Sequence, residues 1–396
     1  MGRKAAVLAA ASIIWGLAHG AGNRALDDLS FAGENDRDTP LVLLASGEPI
    51  PFRGSDARIH LDYELIVTNA RKAAVRIKSV EVLNEATGEV VSTISGPQLK
   101  AVFTLINRDI AEHLEPAQSG IFWLDVSWPE GATLPRVLTH RVTTEMVEAR
   151  PANPQAPAKA EVQTAARLRV SSQRALVVGP PLEGTGWVAL NSCCDGGHRQ
   201  AGFPVNGQYF VAQRFAIDWM KLDDERHMFK GSATVNRDYP TYGQNAIAVA
   251  DGRVASVLDG LPERVSGALP GDTTLQNASG NHVIIDLGSG RFAFYAHLQP
   301  GSIQVRKGDS VKRGQVLAKA GNSGNTSAPH LHFHITQGPG PLSAQGLPYV
   351  IDRFDVRGLT GDANDRGQVE IRPAPGPRAR RAELPMDNTM VDFPAR

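Results

Sequence analysis

Cysteine is almost absent from this chain of 396 residues, and the two cysteines that occur are neighbours, at Cys193 and Cys194. A framework of several disulfides is therefore excluded. An ordinary disulfide needs Cα atoms about 4.4–6.8 Å apart, whereas sequence neighbours are about 3.8 Å apart. We therefore expect these thiols to stay reduced or to bridge to another chain. A metal site built on them would lack the usual spaced partners.

An excess of charge of one sign is also missing, because Lys and Arg total 41 and Asp and Glu total 41. No net field therefore favours nucleic acid or an anionic membrane surface as a partner. The composition is otherwise that of a globular protein, with 42% hydrophobic and 21% charged residues, and the length predicts two or three domains.

Long apolar runs are absent beyond the N-terminus, so no later segment is predicted to cross a bilayer. Residues 1–22 have two basic residues at positions 3 and 4, continue with the apolar run 5–18 and end in small residues. That order is typical of a secretory signal peptide. We therefore expect a periplasmic or secreted protein, and an uncleaved N-terminal anchor is the alternative.

Alternating apolar and polar residues dominate the segment 25–150, for example at 58–68 and 74–83. Several such runs separated by turn residues predict a β-sandwich, with an immunoglobulin-like arrangement as its specific form. The Pro- and Ala-rich stretch 151–165 predicts a linker. The Pro- and Arg-rich segment 370–396 predicts a disordered tail.

Three further runs combine a strand pattern with side chains that can bind a metal ion. Alternate residues of a strand share a face. The polar faces carry His330, His332 and His334 on the run 330–335, Tyr295 and His297 on 291–298, and Asp218 on 214–219. The opposite, apolar faces carry Leu331, Phe333 and Ile335, then Phe292, Phe294 and Leu298, then Phe215, Ile217 and Trp219.

These polar faces offer several imidazoles and one carboxylate. A single histidine on a strand is usually a packing or solvated residue, but that explanation has to account here for four residues at once. Neutral imidazole and carboxylate are the ligands of a catalytic zinc that keeps one coordination position open for water. The residues therefore predict a site for one zinc ion.

These segments resemble peptidase family M23, the LytM/lysostaphin-type zinc peptidases. The resemblance covers about residues 185–352 and includes the Tyr-x-His-Leu and His-Leu-His-Phe motifs at 295–298 and 330–333. It implies an antiparallel, barrel-like β-sheet as the peptidase domain. Together with the N-terminal sandwich, this makes the expected fold all-β dominated.

The resemblance also implies a role for each of four residues. Asp218 and His332 are expected to bind the zinc, whereas His297 and His330 are expected to be catalytic residues that do not bind it. His330 is assigned as the general base and His297 as the residue that stabilises the oxyanion, although these two roles can be exchanged.

The first zinc ligand is the point at which this chain departs from the family pattern. That pattern has a His four positions before the Asp, where this chain has Arg214. A guanidinium cannot ligate zinc, so another histidine must supply the ligand. We predict His198, which lies in a glycine-rich loop, and His227 is the alternative. Three roles are open for Arg214: it can bind a substrate carboxylate, support a zinc ligand or form a salt bridge.

The implied activity is that of a zinc metalloendopeptidase whose substrates are the stem peptides or cross-bridges of peptidoglycan. The alternative is a catalytically weak or inactive M23-like module that binds or regulates cell-wall hydrolases. Every candidate site residue lies beyond the predicted linker. We therefore expect the N-terminal domain to position or restrain the peptidase domain without contributing to its chemistry.

Overall fold

Residues 37–147, 160–194 and 197–394 are described by the computed structural model of this chain. Almost all of their regular structure is β-strand, which confirms the predicted all-β class. The predicted signal peptide and residues 151–159 of the predicted linker lie outside the described residues. Within the part of the chain that the structure describes, no helix has the length and apolar character needed to cross a membrane.

The N-terminal unit consists of two antiparallel sheets that share one apolar core. Its elements are β1 (Leu41–Ala45), β2 (Phe52–Arg53), β3 (Arg58–Asn69), β4 (Ala74–Asn84), β5 (Val90–Ser95), α1 (Pro97–Val102), β6 (Phe103–Leu105), β7 (Ser119–Pro129), β8 (Val137–Val147) and β9 (Ala160–Arg169). One sheet has the order β1-β3-β7-β6 with β2 on β3, and the other has the order β5-β4-β8-β9. The immunoglobulin-like form of this arrangement stays a prediction.

The predicted linker 151–165 is too long at its C-terminal end. Strand β9 begins at Ala160 and pairs with β8. Gln163 is buried and exchanges hydrogen bonds of 3.0 and 2.9 Å with the backbone of Leu41, and Leu168 lies in the core. Residues 160–165 therefore belong to the sandwich, because backbone pairing and these contacts outweigh the local Ala-rich composition.

The C-terminal unit is built on one large, mostly antiparallel sheet. Its strands are β10 (Leu176–Val178), β11 (Gly184–Leu190), β12 (Phe203–Val205), β13 (Gln208–Phe210), β14 (Ile217–Lys221), β15 (Asn245–Ile247), β16 (Gly252–Leu258), β17 (Asn281–Asp286), β18 (Phe292–Leu298), β19 (Ser310–Val311), β20 (Val316–Lys319), β21 (Leu331–Thr336), β22 (Tyr349–Ile351), β23 (Phe354–Ala363), β24 (Val369–Arg372), β25 (Ala379–Arg380) and β26 (Thr389–Phe393). The large sheet has the order β19-β16-β17-β18-β21-β14-β11-β26-β23-β24, and β25 pairs with β23.

One face of this large sheet is apolar and buried. The other layer of the core includes the short pair β15-β20 and the parallel pair β10-β22. The central strands contribute residues from alternate positions, among them Ile217, Trp219, Tyr295, Leu331, Phe333 and Ile335, all fully buried. Burial of that face leaves the opposite face of β18, β21 and β14 available for polar side chains.

The prediction of a disordered tail at 370–396 is wrong for the described residues 370–394. Strand β26 pairs with β11 on one side and with β23 on the other, so this segment completes the interior of the large sheet. Val391 and Phe393 are buried in the main core, and Asp392 points the other way. The prediction of disorder rested on the Pro- and Arg-rich composition of 372–381, and it was wrongly extended to the short alternating strand that follows.

The two units pack directly against each other through the outer face of β3. Residues that point inward from β3 fill the sandwich core, whereas the outward-pointing Asp62 and Glu64 are buried beneath the C-terminal unit. Arg199 lies 2.6 Å from Asp62, and Arg214 lies 2.7 Å from Glu64. A small apolar cluster of Ile121, Trp123 and Val211 adds to this contact.

Candidate metal centre and active site

Three neighbouring strands place the predicted site residues side by side. Asp218 on β14 lies directly opposite His332 on β21, and His332 lies directly opposite Ala296 on β18. Directly opposite residues of antiparallel strands point to the same face. The predicted alternation on β21 and β14 is confirmed, because the residues between the polar ones are buried in the core.

The predicted alternation on β18 is wrong for Phe292, Phe294 and Tyr295 and correct only at the C-terminal end, where Leu298 lies in the core. Tyr295 faces the main core, where its hydroxyl accepts a hydrogen bond from the Val249 N–H, and Phe294 lies on the site face against His334. His297 nevertheless reaches the site face, because the pairing of β17 with β18 shifts register near this point and His297 has a φ of 60°. A bulge of this kind inserts one residue and re-aims the side chains that follow it.

Asp218 is the residue on which the site converges. Its carboxylate lies 2.8 Å from His332 Nδ1, 3.2 Å from His330 Nε2 and 3.3 Å from His198 Nε2. Asn191 Nδ2 donates a further hydrogen bond of 2.9 Å to Asp218 Oδ2. Burial alone would raise the pKa of Asp218, but the imidazoles around it hold that pKa well below its usual value.

The structure brings His198 to this carboxylate and places His227 elsewhere. His198 lies in the loop that follows β11, with its Nδ1 3.1 Å from the backbone oxygen of Asn191 and its ring 4.7 Å from that of His332. His227 instead groups with Asp223, 3.3 Å away, and Glu225.

Arg214, at the position where the family pattern has a histidine, forms a salt bridge with the N-terminal unit. Its guanidinium donates hydrogen bonds of 2.8 and 2.7 Å to the two carboxylate oxygens of Glu64. A third hydrogen bond reaches the backbone oxygen of Gly346. Of the roles considered for this residue, the structure supports the salt bridge.

The donor atoms suit a zinc ion. His198, Asp218 and His332 each offer one ligand atom, and these atoms lie within 4.8 Å of one another. A tetrahedral zinc with bonds of about 2.0–2.1 Å would hold its ligand atoms roughly 3.3 Å apart. His198 Nε2 lies 3.3 Å from Asp218 Oδ2, which matches that value, and His332 Nδ1 lies 2.8 Å from Asp218 Oδ1, which is shorter. Two imidazoles and one carboxylate leave one tetrahedral position free.

His297 and His330 flank this set, with ring centroids 4.7 Å apart. His297 Nδ1 lies 2.7 Å from the backbone oxygen of Ser323, and His330 Nδ1 lies 2.8 Å from that of Ala328. A carbonyl oxygen only accepts, so each Nδ1 carries a proton and each neutral ring has its lone pair at Nε2. Both rings are therefore fixed in the tautomer that suits a proton acceptor.

The pKa values of these two histidines shift in opposite directions. Burial, with repulsion from His330 and His332, holds the pKa of His297 well below its usual value. Burial also opposes the charged form of His330, but the Asp218 carboxylate outweighs burial and raises the pKa of His330. The two imidazoles are thus electrostatically different although they lie side by side.

Two contacts of His332 were missed by the sequence reasoning. His334 Nδ1 lies 2.9 Å from His332 Nε2, and the Gln213 side-chain nitrogen lies 3.5 Å from the same atom. If His332 Nδ1 binds a metal ion, Nε2 keeps its proton and donates it to His334. The shared face of His332 and His334 was the sequence signal for this contact, whereas no motif marked Gln213 or Asn191.

The two cysteines differ from the expectation, because Cys193 and Cys194 form a disulfide with each other. Both are buried within the loop between β11 and His198. Asp62 and His60 of the N-terminal unit lie close enough to form ligand-like groups with these sulfurs. The N-terminal unit therefore packs against the cysteines of the loop that carries His198.

Comparison with known proteins identifies the family of this region. Peptidase family M23 matches residues 237–344. The matched segment contains His297, His330 and His332, whereas Asp218 and His198 precede it.

Two curated relatives are the peptidoglycan DD-endopeptidases ShyA and ShyB of Vibrio cholerae serotype O1. They are 38% and 41% identical to this chain over 66 residues. The match covers 17% of this chain and only 15% of each relative.

Similar solved structures include a mutant catalytic domain of the prophage-encoded M23 protein EnpA from Enterococcus faecalis. That domain is 20% identical, with 42% of this chain and 92% of that chain covered and a TM-score of 0.26. The catalytic domain of the antimicrobial peptidase lysostaphin from Staphylococcus simulans is 18% identical, with coverage of 41% and 84% and a TM-score of 0.22. The resemblance to peptidase family M23 is confirmed for this chain by the family match over residues 237–344.

Proposed function

We propose that this protein is an exported zinc metalloendopeptidase that cleaves peptide bonds in peptidoglycan stem peptides or cross-bridges. The observation that carries the proposal is the convergence of His198, Asp218 and His332 beside two further histidines of fixed tautomer. Export rests on the signal-peptide pattern at 1–22.

His198, Asp218 and His332 would hold the zinc. When bound, the zinc supplies Lewis acidity at the scissile carbonyl. Asn191 keeps the Asp218 carboxylate in place by donating to Oδ2, and His334 orients His332 by accepting from Nε2. Such supporting contacts fix the direction of a ligand's lone pair, and they contribute strongly to metal affinity.

His330 is the proposed general base, and His297 is the proposed oxyanion-stabilising residue. Neutral His330 presents its Nε2 lone pair to the site, so it can take a proton from water and pass it to the leaving amine. His297 has its lone pair at the same position and must be protonated to donate to an oxyanion. The reverse assignment uses the same geometry, and the pKa shifts, which disfavour a charged His297 and favour a charged His330, support it.

The substrate class is inferred from two lines of support. The family match covers the strands that carry His297, His330 and His332. The curated relatives that match are named peptidoglycan DD-endopeptidases. Because the aligned part is a small fraction of each relative, the substrate of the whole chain is a proposal.

A second candidate function is a catalytically weak or inactive M23-like module that regulates other wall hydrolases. The observation that favours it is Arg214, which stands where the family pattern has a zinc ligand and pairs with Glu64 instead. The position of His198 opposite Asp218 supports the active enzyme, since it restores a three-ligand set.

The test measures zinc content and peptide release by the purified full chain. Wild-type protein is expected to hold about one zinc per chain and to release peptide products from purified cell walls. His332→Ala should lose both properties, and His227→Ala, the matched control outside the site, should lose neither. A wild-type chain that holds zinc but releases no product would favour the regulatory module, and one that holds no zinc would contradict the proposal.

A further inference from the structure

The loop that carries His198 is fixed by residues that lie outside the sheet of the site. Among the described residues, the polar and ring contacts of His198 are with the site and with Asn191 at the start of its own loop. The two residues that follow it, Arg199 and Gln200, both contact the N-terminal unit. Gln200 donates a hydrogen bond of 2.9 Å to the backbone oxygen of Ala101, next to β6.

Arg199 makes the stronger of these contacts. Its Nε lies 2.6 Å from Asp62 Oδ2, and the side chains of Arg199 and Asp62 are only 4% and 0% exposed. Arg199 also donates to the backbone oxygen of Cys194, within the same loop. One buried guanidinium therefore ties the loop to itself and to the N-terminal unit.

Because Arg199 and Asp62 carry opposite charges and are both buried, their pairing favours one conformation of the loop. Asp62 is fully buried, and burial raises its pKa to about 7 although Arg199 and Arg214 oppose that change. A buried charge without its partner is costly, because no solvent compensates it. A loop conformation that withdrew Arg199 would leave its guanidinium without a carboxylate and would leave Asp62 with only the more distant Arg214, 3.7 Å away, so the paired conformation is preferred.

We infer that Asp62 of the N-terminal sandwich is a positioning residue for the candidate zinc ligand His198, acting through Arg199. The inference rests on the proposed zinc site. It gives the N-terminal unit a part in building that site, contrary to the expectation that this unit only restrains the peptidase domain. Asp218 and His332 need no such help, because strand pairing fixes them on both sides.

Glu64 provides a matched control on the same strand. It lies two residues beyond Asp62, on the same face of β3, and its buried carboxylate also pairs with an arginine of the C-terminal unit. That arginine, Arg214, precedes β14 and lies outside the loop of His198. Loss of the Glu64 pair should weaken the contact between the units without displacing a zinc ligand.

The experiment measures zinc affinity by competition with a chromophoric chelator, using the full chain in three forms: wild type, Asp62→Asn and Glu64→Gln. The unfolding midpoint of each metal-free form is measured in parallel. We expect Asp62→Asn to weaken zinc binding about 10- to 100-fold, as for other residues that orient a ligand. Glu64→Gln should change zinc affinity by less than about threefold while lowering the midpoint.

Should Asp62→Asn fail to fold, the double variant Asp62→Asn, Arg199→Gln gives the same comparison without an unpaired Arg199 guanidinium, and it too is expected to bind zinc more weakly. A purely structural role predicts lower midpoints with unchanged zinc affinity in the Asp62 variants, and that result would overturn the inference. A wild-type chain with no zinc affinity would instead refute the proposed function, which is a separate outcome of the same measurement.

Discussion

The residues of the candidate site are held in two different ways. Asp218 and His332 lie on adjacent central strands, and each strand is paired on both sides. His198 lies in a loop whose conformation depends on a disulfide, an ion pair to Asp62 and contacts with the segment before β26. Backbone pairing within one sheet holds the first arrangement, whereas the second depends on side-chain contacts with parts of the chain that lie outside the strands of the site.

The largest expected effect comes from breaking the loop-held part of the site. His198→Ala should abolish stoichiometric zinc binding and with it all detectable hydrolysis, because two protein ligands are too few for a catalytic zinc site. Elemental analysis of the purified variants checks this. His227→Ala is the control, and release of metal by His227→Ala alone would show that the wrong histidine is assigned here.

A smaller loss is expected from residues that flank the ligands. His297→Ala and His330→Ala should each retain the zinc but lower the rate of peptide hydrolysis about 100- to 10,000-fold, the usual range for proton transfer and oxyanion stabilisation. Rate measurements at matched zinc content separate this from metal loss. A variant that kept full activity would have no catalytic role.

Measuring the unfolding free energy of core variants tests whether the large sheet and the N-terminal sandwich unfold together. Phe333→Ala removes a fully buried ring from β21 and should cost about 3–5 kcal/mol of unfolding free energy. Phe122→Ala removes an equally buried ring from the sandwich. If the units unfold together, denaturant titration of either variant should shift a single transition. Two transitions that respond separately would show that the units unfold independently.

The smallest effect is a pH dependence at the contact between the units. Burial opposes the charge on His60, but Asp125 and Asp56 outweigh burial and raise its pKa from 6.5 to about 9. Protonated His60 therefore stabilises the folded state. This stabilisation is fully present below pH 6.5, the unfolded-state pKa, and is lost as the pH rises through about 9. Unfolding midpoints measured from about pH 7 to 9.5 should fall in wild type and change less in His60→Gln. Equal slopes would contradict this assignment.

The strand-held part of the site follows from the sequence because period-two alternation needs only local information. The faces of Asp218 and His332 are predicted correctly in this way. The same rule fails for Tyr295, because the register shift beside β18 adds a residue that no local pattern announces. The family resemblance identified His297 in spite of that error.

The loop-held part was less accessible to sequence reasoning. His198 was selected because Arg214 cannot bind zinc, and its place beside Asp218 agrees with that choice. The contact between Arg199 and Asp62 could not be predicted, because Asp62 belongs to the N-terminal unit. The alternating pattern of β3 places Asp62 on the outer face of its sheet, but it does not show whether that face is exposed to water or covered by a second unit. Strand β26 was missed because only its pairing with β11 and β23, both distant in sequence, gives it a structure.

The pairing of β11 with β26 also has a consequence for the order in which the protein is made. Trp187 lies opposite Val391, so β11 leaves the ribosome about 200 residues before its partner. At about 5–20 residues per second, that interval is roughly 10–40 seconds. A nascent chain interrupted before Thr389 would carry all five candidate site residues, yet the strand leading into the His198 loop would have one edge unpaired. Arrival of β26 in the compartment where the protein folds is therefore the step that permits this sheet to close.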